Sequence, residues 1–304
     1  NLGNAFKDKG DLGAAIINYK AALQIKQQNP DALNNLGSAY RQQGEDDLAI
    51  ESYKKAYSLV PNLQNACRSH LYFPSILLSS HQANQARDTY ISNLKSIFNE
   101  RPNKDLGIAP DLSLFNITYQ NGSDDKELMK LIGEIVHPWF TVDTEESQDD
   151  AQKRVTLFKK QNPHSSARIG IYFDNTNSKH VIVRHYLNLV KSLAQVGLEV
   201  IIIKGHNALG QECFTLQNHA SMSLQLSINP EKSVRRLREL NLSVLVYTEM
   251  HSSSTPYFLA HNRIAPVQMV LPGNSLTTGL PTIDYYISSL HTETESSERF
   301  YTEK

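Results

Sequence analysis

Cysteine is nearly absent from this 304-residue chain: Cys67 and Cys213, far apart in sequence, are the whole complement. Two lone thiols exclude a disulfide framework and a cysteine-built metal finger, and they fit a reducing compartment. No run of eighteen apolar residues occurs, so no segment reads as a spanning helix. An excess of charge is missing too. Thirty Lys and Arg stand against 31 Asp and Glu, a net charge of −1. That balance supplies no electrostatic case for nucleic acid or an anionic membrane as partner. Asn1 to Gly10 lacks a basic segment followed by an apolar one, so it does not read as a secretory signal. The three glycosylation-like triplets at Asn116, Asn121 and Asn241 therefore read as chance matches. Phosphate-loop, zinc-ligand and Gly-x-Ser-x-Gly patterns are lacking as well. The expectation is a cytoplasmic protein without metal or cofactor.

What the chain does contain is a repeat. Asn1-Leu2-Gly3, Gly10, Ala15, Tyr19 and Ala22 recur as Asn35-Leu36-Gly37, Gly44, Ala49, Tyr53 and Ala56. The offset is always 34 residues, the period of the tetratricopeptide repeat, or TPR. Small Gly and Ala let two antiparallel helices approach closely, while Leu and Tyr fill the gaps between them. The chain opens inside such a unit and without Met, so it reads as cropped from a longer protein. Residues 1–62 are two TPR units, the second closed by Pro61. In the first, Gln27 stands where that Pro is expected and Pro30 comes three residues later, which predicts a helix about one turn longer. Two units bury little alone, so they need neighbours.

Residues 63–166 read as a helical connecting region. His81 to Glu100 carries an apolar stripe. Pro102 to Pro110 reads as a linker, and Glu127 to Val136 as a helix stopped before Pro138. Asp143 to Asp150 is acidic, a solvated and mobile connection; Glu145 and Glu146 face solvent in this reading. From residue 167 to 304 the pattern changes class. Ile169–Phe173, Val200–Ile203, Val244–Tyr247, Val267–Leu271 and Asp284–Ser288 are short apolar runs, with Leu224–Ile228 a weaker sixth. Helical stretches at Val181–Val196, Glu231–Leu240 and Thr255–Asn262 separate most of them. Buried runs rich in Val and Ile that alternate with helices predict a Rossmann-like α/β lobe with a parallel sheet.

Three further stretches carry a resemblance. They are Val244–Tyr247 with Pro256-Tyr257-Phe258-Leu259-Ala260, Arg263 through Gln268, and Gly273 followed by Thr277 through Tyr285. Together with the closing Phe300–Lys304 and the Phe115, Tyr119, Gly122, Asp124 segment, they resemble the protein O-linked N-acetylglucosamine transferase family, its bacterial TPR-containing members above all. The resemblance implies an α solenoid followed by the first lobe of a GT-B glycosyltransferase, with the second lobe absent. Such enzymes move a sugar from a UDP-sugar to Ser or Thr, or in some relatives Asn, and need no metal. The implied partners are an acceptor polypeptide in the TPR groove and a UDP-sugar held mainly by the missing lobe. The fragment alone is then expected to be inactive.

His180 matches a cleft-lining His of that family, an imidazole placed to accept a proton. It comes after the polar loop Asp174 to Ser178, and Arg184 shares its helical face four residues on. Gly273, Thr277, Thr278 and Gly279 form a loop after a parallel strand, where open α/β sheets bind ligands; they are candidate substrate-binding residues. The sequence departs from the family at Asn274-Ser275, at Gln120 and over Thr248–Ser254, and His251 there reads as a solvated loop residue. His185 reads as packing or surface. A second class of function stays open beside the enzyme: a TPR interaction scaffold fused to a degenerate glycosyltransferase-like lobe.

Overall fold

The computed structural model describes residues 2–74, 79–99, 107–117, 125–142, 146–176, 180–208, 214–251, 253–272, 276–289, 291, 293 and 295–304. Gly273, Asn274, Ser275, Gln120 and Cys213 lie outside the described residues, as do most of the proposed 102–110 linker and the Tyr119–Asp124 stretch. The chain divides into two compact units, residues 1–104 with 110–122, and residues 105–109 with 123–304. The connecting region is thus shared: its first part belongs with the repeats, its second with the sheet.

The first unit stacks α1 (Leu2–Asp8), α2 (Leu12–Ile25), α3 (Pro30–Gln43), α4 (Asp46–Leu59) and α5 (Leu63–His70), and continues in α6 (Ser80–Asn99) and a single turn α7 (Leu114–Ile117). Asp11, Asn29 and Asn62 start helices by accepting from the backbone N–H three residues on. Gly10 and Gly44, 34 residues apart, turn between helices at φ 82° and 80°. The repeat is also one of contacts. A Cβ at Gly3 would lie 2.5 Å from the Tyr19 ring, and one at Gly37 would lie 2.7 Å from the Tyr53 ring. Tyr19 Oη donates to Asn4 Oδ1 at 2.8 Å, and Ser38 at the equivalent position lies near Tyr53. Each hairpin is a Gly face closed by a buried Tyr. Ala15, Ile16, Leu36, Ala39 and Ala49 complete the buried seam.

The longer helix expected for the first repeat does not form. Helices α2 and α4 both have 14 residues and stay 34 residues in register. Pro30 is a start signal, the first residue of α3 behind its cap Asn29. The neighbour the repeats require is α5, where Asn34 Nδ2 donates to Asn65 Oδ1 at 2.9 Å. Buried Tyr90 of α6 donates to the Leu112 carbonyl at 2.6 Å and ties that helix to the segment before α7. Cys67 is a buried thiol, as expected.

The second unit opens with α8 (Lys126–Phe140) and α9 (Gln148–Gln161) and continues as an alternating α/β chain. It runs β1 (Arg168–Phe173), α10 (Val181–Gln195), β2 (Glu199–Lys204), α11 (Phe214–Gln217), β3 (Met222–Gln225), α12 (Pro230–Glu239), β4 (Val244–Tyr247), α13 (Ser254–Ala260), β5 (Val267–Val270) and β6 (Tyr285–Tyr286). All pairings are parallel, in the order β3-β2-β1-β4-β5-β6. The strand between β2 and β4 begins two residues earlier than its apolar run suggests. Two other expectations fail. Helix α8 runs through Pro138, because Trp139 and Phe140 reach the core only from a helix and Asn262 Nδ2 takes up the Phe140 carbonyl at 2.9 Å. The acidic stretch is partly helix: Ser147 and Asp150 form a reciprocal capping box that starts α9. Glu146 is not free in solvent either; it holds Arg154 at 2.9 Å.

Candidate active site

In a parallel sheet of order 3-2-1-4-5-6, successive crossovers lie on opposite faces to either side of one point, here between β1 and β4. In open sheets of this kind, ligands bind at that point, at the carboxyl ends of the strands. Side chains at that rim come from residues just after β1, β2 and β4. After β1, Asp174 is 7% exposed and accepts from Tyr172 Oη at 2.7 Å. Burial and the facing Asp174 carboxylate hold the Tyr172 phenol well above its usual range, so the proton stays on the phenol. Gly205, directly after β2, must lack a side chain: a Cβ would sit 2.5 Å from both Asp174 Oδ1 and Tyr172 Oη. After β4, Thr248 Oγ1 donates to the Tyr172 carbonyl at 2.8 Å and ties the two strand ends together.

His180 caps α10 through its backbone, in extended conformation and without a side-chain hydrogen bond; its Nδ1 is shielded and unpartnered. Arg184 lies one turn on and is exposed. His185 is exposed, with its ring edge against Tyr186 at 4.8 Å. His180 is thus at the start of the helix that follows β1, and Arg184 is one turn into it.

Thr277, Thr278 and Gly279 are elsewhere in role. Both threonines are buried, and their hydroxyls are spent on Glu303, with Thr277 Oγ1 donating to Oε2 at 2.7 Å and Thr278 N donating to Oε1 at 2.8 Å. Thr278 Oγ1 is also bonded to Glu303. Gly279 has φ 72°, and a Cβ there would lie 2.4 Å from the Met129 carbonyl group. Its close approach is to helix α8. The bend packs inward, where its groups are already satisfied. A groove of about 1000 Å³, lined by Lys130, His137, Leu280, Asp284 and Glu303 among others, adjoins this bend.

The solvated loop expected around His251 is also not found. His251 is 3% exposed with both ring nitrogens unpartnered, and burial depresses its pKa to about 3. Glu249, Met250 and Tyr257 are buried beside it, so the segment after β4 is a plug that fills space under the rim. One crevice group escaped the sequence reading. His206, two residues past β2, has its Nδ1 3.1 Å from Thr255 Oγ1. The only signal for it was position: a polar side chain immediately after the carboxyl end of a parallel strand. Among the described residues no group of three or more His, Cys, Asp or Glu is arranged to hold a metal ion, and no helix is long and apolar enough to cross a membrane.

Comparison with known proteins fits this architecture. Models of the TPR repeat match residues 3–44 and, as the tetratricopeptide repeat, residues 30–63. The sequence has no significant match among curated proteins. Among solved structures, a mutant of the Thermobaculum terrenum O-GlcNAc transferase superposes with a TM-score of 0.55 at 17% identity. The match covers 99% of this chain and 55% of that one, so the chain spans about half the length of that relative. The chain is a TPR stack joined to a parallel α/β lobe, with the fold seen in an O-GlcNAc transferase.

Proposed function

We propose that the chain is the N-terminal part of an inverting glycosyltransferase. It would move a sugar, N-acetylglucosamine or a hexose, from a UDP-sugar to Ser or Thr of a polypeptide bound in the TPR groove, in the cytoplasm and without a metal. One observation carries this reading: TPR repeats and a 3-2-1-4-5-6 sheet with a polar switch point share one chain that follows an O-GlcNAc transferase fold over 99% of its length. In this reading the acceptor hydroxyl oxygen attacks the anomeric carbon while the bond to the diphosphate breaks and UDP leaves. The hydroxyl proton passes to His180, and Arg184 meets the charge developing on the departing group. Thr277, Thr278 and Gly279 touch no substrate in this reading; they brace the lobe from within through Glu303 and helix α8. The uridine end would be gripped mainly by a second lobe, corresponding to the part of the relative that this chain does not match.

Incubating the longer polypeptide with UDP-N-acetylglucosamine, UDP-glucose and a pool of acceptor peptides tests the idea. UDP release together with a sugar-sized mass increase on a peptide is expected. Neither signal with any donor would overturn it. The plug after β4 favours one other reading, a TPR scaffold whose lobe no longer admits a donor. That reading expects peptide binding without donor binding.

A further inference from the structure

Strands β2 and β4 flank β1 on either side, and the hydrogen bond between His206 and Thr255 joins the turn after β2 to helix α13 after β4. It therefore reaches across the carboxyl end of β1, a span of about two strand spacings, roughly 10 Å. Beneath it lie Asp174, Tyr172 and Gly205. Thr255 is 4% exposed, in the first turn of α13, and makes no other hydrogen bond among the described residues. A buried hydroxyl that donates to nothing is costly, and His206 Nδ1 is the acceptor within its reach. Thr255 thus donates to Nδ1, and with Nδ1 accepting, the ring N–H is at Nε2. Nε2 points from the opposite edge of the ring. His206 is half-buried, and Nε2 makes no hydrogen bond among the described residues.

We propose that His206 is a second crevice imidazole, locked by Thr255 as an Nε2–H donor that grips an oxygen of the donor nucleotide-sugar. Thr255 is its positioning residue. The proposal rests on the transferase reading, and its ligand atom is an acceptor oxygen, whether of the diphosphate or of a sugar hydroxyl. No proton is transferred by His206; it binds and orients, while His180 handles the acceptor hydroxyl.

The test uses the longer polypeptide with UDP and with a UDP-sugar as separate ligands, and compares H206F, H206Q and T255V with wild type. Loss of one hydrogen bond to a charged or strongly polar oxygen corresponds to about ten- to a hundredfold weaker binding for H206F. Weakening with both ligands assigns the diphosphate; weakening with the UDP-sugar alone assigns the sugar. H206Q retains an N–H donor near the Nε2 position and should stay within about threefold of wild type. T255V leaves the ring intact but frees its tautomer, so apparent affinity should fall by no more than about twofold as the competent fraction drops. Nitrogen-15 NMR of the imidazole should show the Nε2–H tautomer in wild type and a mixture in T255V. A merely structural bridge would lower thermal stability in both H206F and H206Q and leave binding by the folded fraction unchanged. H206F indistinguishable from wild type with both ligands, or an Nδ1–H tautomer in wild type, overturns the proposal alone. Wild type that binds neither ligand overturns the transferase reading, and this with it.

Discussion

At the scale of single residues, His180 and His251 sit in opposite environments, and each sets its own test. His180 has its backbone in a helix cap, and its shielded Nδ1 has no hydrogen-bond partner. If it takes the acceptor proton, His180→Ala in the longer chain should lower the transfer rate at least about a hundredfold with circular dichroism unchanged. An unaltered rate would return it to the surface. His251 is neutral because it is buried. The unfolded chain binds a proton on this ring below about pH 6.5, the folded chain only below about 3. Between those values the unfolded state holds more protons, so stability falls as pH falls through that window, by on the order of 3–5 kcal/mol at its lower end. His261, also held well below its usual range by burial and by His137, acts in the same direction. Urea titrations of wild type and His251→Leu from pH 7.5 to 4 should show a shallower decline in the variant. Parallel curves would show that the ring is reached by water.

Residue identities also explain why the resemblance was readable while the site was not. Gln268 is fully buried, and its amide accepts from Ile264 N at 2.9 Å and donates to the Thr282 carbonyl at 2.9 Å. Arg263 is paired with Asp284 at 2.7 Å. The most telling stretch of sequence is therefore a set of internal rivets. Thr277 and Thr278 belong to the same kind of chemistry, their partner Glu303 lying 25 and more residues away, and no local spacing announces that pairing.

At the scale of elements, local chemistry decided most of the outcome. The Val/Ile runs became strands, and the 34-residue period became register. Where the sequence misled, a tertiary contact overrode a local rule: core anchors carried α8 past Pro138, and a cap turned Pro30 from a terminator into a start. The Gly–Tyr contact tests the repeat physics. At Gly37→Val the added carbons meet a Tyr53 ring that is itself buried. Overpacking of this kind costs about 1–3 kcal/mol. Helix propensity acts slightly the other way, because Val is a better helix former than Gly. The unfolding midpoint of the first unit should fall accordingly, while Gly13→Val, whose would-be Cβ approaches only the Asp11 carboxylate at 3.8 Å, should show little change. Equal effects at both sites would mean that helix propensity, not the close approach, governs these positions.

For the whole molecule, chemistry is limited by the groups that one lobe can present. In the transferase reading, the strand ends at β1 and β4 supply groups for an acceptor hydroxyl and for orienting oxygen-rich ligands. Among the described residues, Lys204 at the end of β2 and Arg184 in the helix after β1 are cations near them in sequence. Arg184 is exposed, buried Arg263 is committed to Asp284, and half-buried Arg154 to Glu146 and two backbone carbonyls. Departure of UDP needs strong charge stabilisation in a site closed from water. If the transferase reading holds, one lobe open to solvent gives neither. Residues 1–304 alone should then release no UDP from UDP-N-acetylglucosamine or UDP-glucose above the uncatalysed rate, in a coupled nucleotide assay run over hours. Supplying the proposed second lobe in cis should restore release. Measurable turnover by the 304-residue chain would show that the cations lie among groups whose contacts look purely structural, and Arg184 would be the first to substitute.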